Sequence, residues 1–226
     1  QTLNLLVQLN AADDIVGVMS SWKKQLGPQF ARFMPGIEKL PMPGDLTQVN
    51  IESLLALHPQ VVFVANYAPA EMIQQIQNAG IPVVAISLRK DADGQQNKMN
   101  PTMADEEQVH NAGLKQGIRL IGAVVDRKDQ AETLIRTAFA ARKEANAPVA
   151  DIPDDQRVRV YMANPDLNTY GSGKYTGHIH NSIGCSPITG GDELAKDRHI
   201  IGVEYTITDT EAKTTADNHR EVVPKS

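Results

Sequence analysis

The sequence contains little of what several common kinds of protein need. Its single cysteine, Cys185, excludes a disulfide within these 226 residues and leaves the redox compartment undecided. No apolar run approaches the length of a membrane-spanning helix. The segment Gln1–Asn10 lacks the basic start and the cleavage motif of a signal peptide, which fits a cytoplasmic chain or one that has already been processed.

Excess positive charge and catalytic motifs are missing as well. The 22 Lys and Arg residues against 27 Asp and Glu residues give a formal net charge of −5, which argues against a general nucleic-acid binder. There is no GxSxG, no phosphate loop and no GxGxxG after a strand, and Gly171–Lys174 lacks the full phosphate-loop spacing. Cys185 has no evident catalytic partner, so the sequence predicts an ordinary core or loop cysteine.

The most informative stretch that is present is NIESLLALHPQVVFV, residues 50–64. Asn50 suits a helix N-cap, and Pro59 cannot continue a helix, so a short helix is predicted to end there. Val61–Val64 is continuously apolar, which is typical of a parallel strand that is covered on both faces. A helix over Ala70–Asn78 and a strand over Ile81–Ile86 complete a βαβ unit.

The rest of the chain continues this α/β pattern. It predicts an opening helical segment through Leu5 and Leu9, a strand over Ile15–Met19, loop over Gly27–Gly44, helices near 105–125 and 129–147, and a strand over Val158–Met162.

The order of these elements resembles the clamp-type periplasmic substrate-binding proteins of ABC importers for iron–siderophore, haem and cobalamin. The resemblance covers residues 10 to about 195 and rests on NIESLLALHPQVVFV, GIPVVAI, the long helix near 129–147, and a strand followed by an aromatic, glycine-rich loop. It implies an α/β fold of two Rossmann-like lobes bridged by one long α-helix, with the ligand between the lobes. We therefore expect an N-terminal lobe over 1–125, a bridging helix over 126–150 and a C-terminal lobe over 151–226. That second lobe is expected to be incomplete, because no second helix–proline–strand repeat follows GGDELA, Gly190–Ala195.

The resemblance also implies a function. It predicts a periplasmic or extracytoplasmic solute-binding protein, not an enzyme, that captures an iron–siderophore or related metal chelate and delivers it to an ABC permease. No cofactor, no nucleic acid and a monomeric state are expected, with membrane contact only through the permease or a lipid anchor. One alternative is a haem- or cobalamin-binding protein of the same fold, and another is a metallocluster or metabolite-binding α/β enzyme.

Candidate ligand contacts lie at the carboxyl ends of the strands, where open α/β sheets bind their ligands. Aromatic faces suit a chelate or macrocycle, and cations complement anionic oxygens. The candidates are Trp22, Lys24, Tyr67 and Arg89 in the first lobe and Asn168, Tyr170, Lys174 and Tyr175 in the second. The alternative is that Trp22 and Tyr67 cap the core and that the cations are solvated.

Two further residues carry predictions of a different kind. His178 is a candidate axial ligand of haem iron, although the six histidines show no zinc-site spacing and surface or helix-end positions are the alternative. By the family resemblance, Glu52 is a candidate for docking against arginines of the permease. Its other interpretation is a residue that complements the dipole of its helix.

Overall fold

The computed structural model describes residues 1–90, 105–161, 185–187 and 201–202. Within these ranges the helices are α1 Thr2–Gln8, α2 Trp22–Leu26, α3 Ile51–Leu55, α4 Ala70–Asn78, α5 Glu106–Val124 and α6 Lys128–Asn146. The strands are β1 Val62–Ala65, β2 Val83–Ile86, β3 Val158–Tyr161, β4 Cys185–Pro187 and β5 Ile201–Gly202. None of the described helices has the combined length and apolarity that crossing a bilayer requires.

The chain divides into two compact units. The first comprises Gln1–Pro101 with Gln108–Phe139, and the second comprises Thr102–Glu107 with Ala140–Ser226. The division falls inside α6, whereas the sequence predicts a separate element over 126–150. The predicted long helix is present, and its bridging role stays a prediction.

The first unit contains the predicted βαβ element. Strands β1 and β2 are parallel, with Val62 opposite Val83 and Ala65 opposite Ile86. Helix α4 connects them over the predicted residues and buries Met72 and Ile76 against Leu54 and Ile81. The mixed α/β fold class with parallel sheets is therefore confirmed.

The join between α3 and β1 also follows the sequence. The side-chain oxygen of Asn50 accepts a hydrogen bond of 2.7 Å from the amide of Ser53, which satisfies one free donor of the first turn. The helix ends before Pro59, and His58 takes a left-handed conformation with φ of 48°. This conformation is uncommon for a residue other than glycine, and it occurs in the link between the end of α3 at Leu55 and the start of β1.

The main core of the first unit lies between β2 and the helices α1, α5 and α6. Its fully enclosed members include Leu9 and Ile121, each with 0% of its surface exposed. Such side chains stabilise a fold mainly by removal of apolar surface from water. The buried residues of this cluster are Leu5, Leu6, Leu9, Ala11, Ile86, Ile118, Ile121, Ala131 and Ile135.

A second cluster of the first unit corrects one local prediction and refines another. Ile15–Met19 is not a strand, since its pairing within the described ranges is an isolated parallel bridge between Met19 and Gly44. Gly27–Gly44 is mostly loop, as predicted, and also contains the 3-10 helices Pro28–Arg32 and Ile37–Lys39. Both segments contribute to one buried group, Val18, Trp22, Phe30, Met34 and Ile37.

The second unit contains a small parallel sheet in the order β4-β3-β5. Val158 lies opposite Cys185, and Val160 lies opposite Ile201. Strand β3 matches the strand that the sequence predicts over Val158–Met162. Parallel neighbours on both sides make it the central strand of this sheet.

Candidate functional site

Polar residues collect at the carboxyl edge of the β1–β2 sheet. Since Ala65 lies opposite Ile86, the next residues of the two strands emerge side by side. The amide of Asn66 donates to the carbonyl oxygen of Ile86 over 3.0 Å and continues the ladder by one residue. Tyr67 and Arg89 therefore follow neighbouring strand ends, as the sequence predicts, and both are partly buried. Their contact with a ligand stays a prediction.

The turn after β2, Ser87–Lys90, is held in place by three hydrogen bonds. The hydroxyl of Ser87 donates to the carbonyl oxygen of Arg89 over 3.1 Å and accepts from the amide of Arg89 over 3.4 Å. The amide of Lys90 donates to the carbonyl oxygen of Val109 in α5 over 2.9 Å. The backbone that carries Arg89 is thus tied both to itself and to a helix of the same unit.

A second polar group surrounds Asp45. Its two carboxylate oxygens accept hydrogen bonds from the hydroxyl of Ser20 over 2.7 Å and from that of Ser21 over 2.5 Å. The amide of Leu46 adds a third bond of 2.8 Å. Asp45 therefore fixes the turn that precedes α2. Sequence reasoning missed this residue, although an Asp directly after Gly44 is typical of a turn whose side chain bonds nearby groups.

Asp45 makes the stability of the first unit depend on pH. Hydrogen bonds from Ser21 and then Ser20 hold the pKa of the Asp45 carboxyl below its ordinary value of 3.8. Because the pKa is lower in the folded state, this contribution is present above the unfolded-state pKa and is lost as the pH falls through the folded-state value. We expect Asp45→Asn to lower the melting temperature near neutral pH, and we expect this difference to shrink below about pH 4. A difference of equal size in neutral and in acidic buffer would contradict the assignment.

Trp22 occupies the core and not a surface. Only 1% of it is exposed, and it belongs to the buried cluster with Phe30 and Ile37. The ammonium group of Lys23 lies 5.6 Å from the centre of its ring and also pairs with Glu38 over 2.6 Å. The structure thus favours the alternative that Trp22 caps the core, because an enclosed ring presents no face to a ligand. Lys24 is exposed on the same helix.

The predicted contacts of the second lobe lie outside the described residues. These are Asn168, Tyr170, Lys174 and Tyr175, together with the haem-ligand candidate His178. Among the residues that are described, no group of three or more His, Cys, Asp or Glu side chains is arranged to hold a metal ion.

Comparison with known proteins matches this architecture to a family. The model of the periplasmic binding protein family matches residues 1–212. The molybdate-binding protein MolA of Haemophilus influenzae is 59% identical over 185 residues, which are 82% of this chain and 53% of MolA. The chain therefore spans about half the length of this curated relative.

Solved structures give the same result for the fold. Molybdate-bound MolA of Haemophilus influenzae is 50% identical to this chain, with a TM-score of 0.81 over 89% of this chain and 66% of that one. The periplasmic haem-binding protein HutB of Vibrio cholerae is 16% identical, with a TM-score of 0.67 over 99% of this chain and 82% of its own, and shows the fold alone. These relatives are binding proteins and not enzymes. Because the family model matches nearly the whole chain, the chain belongs to the periplasmic binding proteins, as its pattern of helices and strands predicts.

Proposed function

We propose that this chain binds molybdate in the periplasm and delivers it to an ABC permease. The observation that carries the proposal is the 50% identity to molybdate-bound MolA over 89% of the chain. Such identity is far above the 16% that relates the chain to the haem-binding HutB. The ligand differs from the iron–siderophore, haem or cobalamin that the sequence pattern alone predicts.

The chemistry of the first unit supports a small oxyanion better than a large chelate. Proteins bind oxyanions through amides, hydroxyls and guanidinium groups, and Ser87, Arg89 and Asn66 supply these groups at one sheet edge. A broad chelate or macrocycle would gain most from aromatic faces, and the buried Trp22 supplies none. We propose Arg89 and Tyr67 as ligand contacts of this unit. Lys24 is proposed as a further contact, although it lies on α2 and not at the end of β1 or β2.

A permease is the proposed partner, since the molybdate-binding MolA has a cognate ABC transporter. Glu52 is proposed to take part in that docking. It is exposed in the first turn of α3, next to the capping Asn50, and so is presented at the surface. Its charge also complements the positive end of the helix dipole, so its substitution is expected to cost at most about 1 kcal/mol of stability. A loss of transport in vesicles beyond what that stability loss explains would support the docking role.

Titration of the full chain with sodium molybdate tests the proposal. We expect saturable heat in calorimetry and a rise in melting temperature, because a ligand at about 100 times its dissociation constant stabilises the folded state by about 2.7 kcal/mol. Sodium sulfate serves as the matched anion, and a ferric siderophore and haem serve as the competing ligand classes. Binding of either chelate without any response to millimolar molybdate would overturn the proposal.

A further inference from the structure

Helix α5 contains three glycines, Gly113, Gly117 and Gly122, at spacings of four and five residues. Glycine is unfavourable in the interior of a helix, so each needs a local reason. In this helix the reason is space. A β-carbon at any of the three positions would come too close to a neighbouring segment of the same unit.

The neighbours differ in kind. A β-carbon at Gly113 would meet the backbone of the turn after β2, namely the α-carbon and carbonyl carbon of Arg89 and the amide nitrogen of Lys90. At Gly117 it would lie 2.5 Å from the end of the Leu88 side chain. At Gly122 it would lie 2.6 Å from the β-carbon of Ala131 in α6, away from that turn.

The backbone of Arg89 therefore lies directly on α5 at Gly113. The Ser87–Lys90 turn is also held at a second point on α5. The amide of Lys90 donates a hydrogen bond of 2.9 Å to the carbonyl oxygen of Val109, which lies one turn of the helix before Gly113. A side-chain tip such as that of Leu88 can rotate away from an added methyl group, whereas the backbone at Arg89 moves only if the whole turn moves. Gly113 thus sets the position of the α-carbon from which the guanidinium extends.

We infer that Gly113 is a positioning residue for ligand binding, which acts through Arg89. The inference rests on the proposed function and adds to it a residue that has no side chain of its own to contact the ligand. Bidentate recognition of an oxyanion by a guanidinium requires a defined distance and direction. A turn displaced from α5 would move the cation away from the carboxyl edge of the sheet while the core of the unit stays intact.

The test is calorimetric titration with sodium molybdate of the full chain and of Gly113→Ala. We expect the dissociation constant of Gly113→Ala to rise about tenfold or more, as expected when a charge-assisted hydrogen bond is lost. The matched control is Gly122→Ala, which adds the same methyl group to the same helix. Its melting temperature is expected to fall, with a dissociation constant that changes less than about twofold because the two sites are independent.

A double-mutant cycle separates positioning from general destabilisation. In an Arg89→Gln background, Gly113→Ala is expected to leave the dissociation constant unchanged, because the group that it positions is already absent. An equal increase in both backgrounds would overturn the inference, as would wild-type affinity in Gly113→Ala. If Gly113→Ala does not fold, Lys90→Pro takes its place in the same cycle, because it removes the amide that ties this turn to Val109 of α5, and wild-type affinity in that variant would count in the same way.

Molybdate binding and the positioning role of Gly113 can be contradicted separately. A wild-type chain that does not bind molybdate overturns the proposed function and this inference together. A wild-type chain that binds molybdate, alongside a Gly113→Ala variant that binds it equally well, overturns the inference and leaves the proposed function standing.

Discussion

Replacing Trp22 with alanine is expected to lower the free energy of unfolding by about 3–5 kcal/mol, the usual range for loss of a large buried aromatic side chain. The ring is 1% exposed and packs in the cluster with Phe30, Met34 and Ile37. Removing it leaves a cavity bordered by two short 3-10 helices, which the rest of the unit fills only in part. Urea denaturation followed by far-ultraviolet circular dichroism measures the change, because the variant has no tryptophan left for fluorescence.

Lys24→Ala provides the control for this experiment. It alters the same helix, α2, at an exposed position, so we expect a change within about 0.5 kcal/mol. A Trp22→Ala loss as small as that of the control would contradict the core assignment. It would also return Trp22 to the set of candidate ligand contacts.

The burial of Trp22 illustrates what the sequence can and cannot predict. Its position after an apolar segment predicts either a ligand contact or a core cap, and the chain alone does not choose between them. The choice depends on Phe30 and Ile37, which come from a segment whose prolines and glycines predict loop. Within that loop lie two short 3-10 helices, a structure that such residues permit and hydrophobic spacing does not reveal.

Local signals predict the βαβ element well. Helix α4 has its predicted bounds because a proline, an apolar stripe and Gly80 mark its start, face and end. Ile15–Met19 fails as a strand for the opposite reason. Strand formation there depends on partners far away in the chain, and the pairing seen among the described residues is the bridge between Met19 and Gly44.

The candidate site is predictable only in its outline. Tyr67 and Arg89 follow from the rule that ligands bind at strand ends, and both lie where that rule puts them. Asp45 and Gly113 do not follow from it, since one acts through long-range hydrogen bonds and the other through an absent side chain. The useful signal for the second was the repeated glycine in a long amphipathic helix, which indicates close approach of another segment.

The ligand is the least predictable property, for a physical reason. The helix–proline–strand pattern predicts the fold. The haem-binding HutB has the same fold at only 16% identity, so the pattern does not distinguish between ligands. Discrimination between an oxyanion and a chelate depends on a few polar groups in loops, which leave almost no periodic trace in the sequence. The proposal of molybdate therefore rests on the identity to MolA and not on the pattern of elements.

Arg89→Gln is expected to weaken molybdate binding by about 10- to 100-fold, because hydrogen bonds to a charged group contribute about 1.5–3 kcal/mol. Glutamine keeps an amide donor but removes the charge and the planar fork that suits two oxygens at once. Since Arg89 is partly buried at the carboxyl edge of the sheet, its charge is screened less than that of a fully solvated arginine. Calorimetry at two salt concentrations measures the loss of affinity. It also measures how strongly the dissociation constant depends on salt, which we expect to be weaker for Arg89→Gln than for the wild type.

Arg136→Gln removes an equal charge from the exposed surface of α6, where the guanidinium donates to the hydroxyl of Thr133 over 3.4 Å. We expect this control to bind molybdate like the wild type, so that net charge alone is excluded as the cause. Arg89→Lys should give an intermediate affinity, because lysine restores the charge without the bidentate geometry. Equal losses in the variants at Arg89 and Arg136 would assign the effect to long-range electrostatics, and wild-type affinity in Arg89→Gln would remove Arg89 from the site.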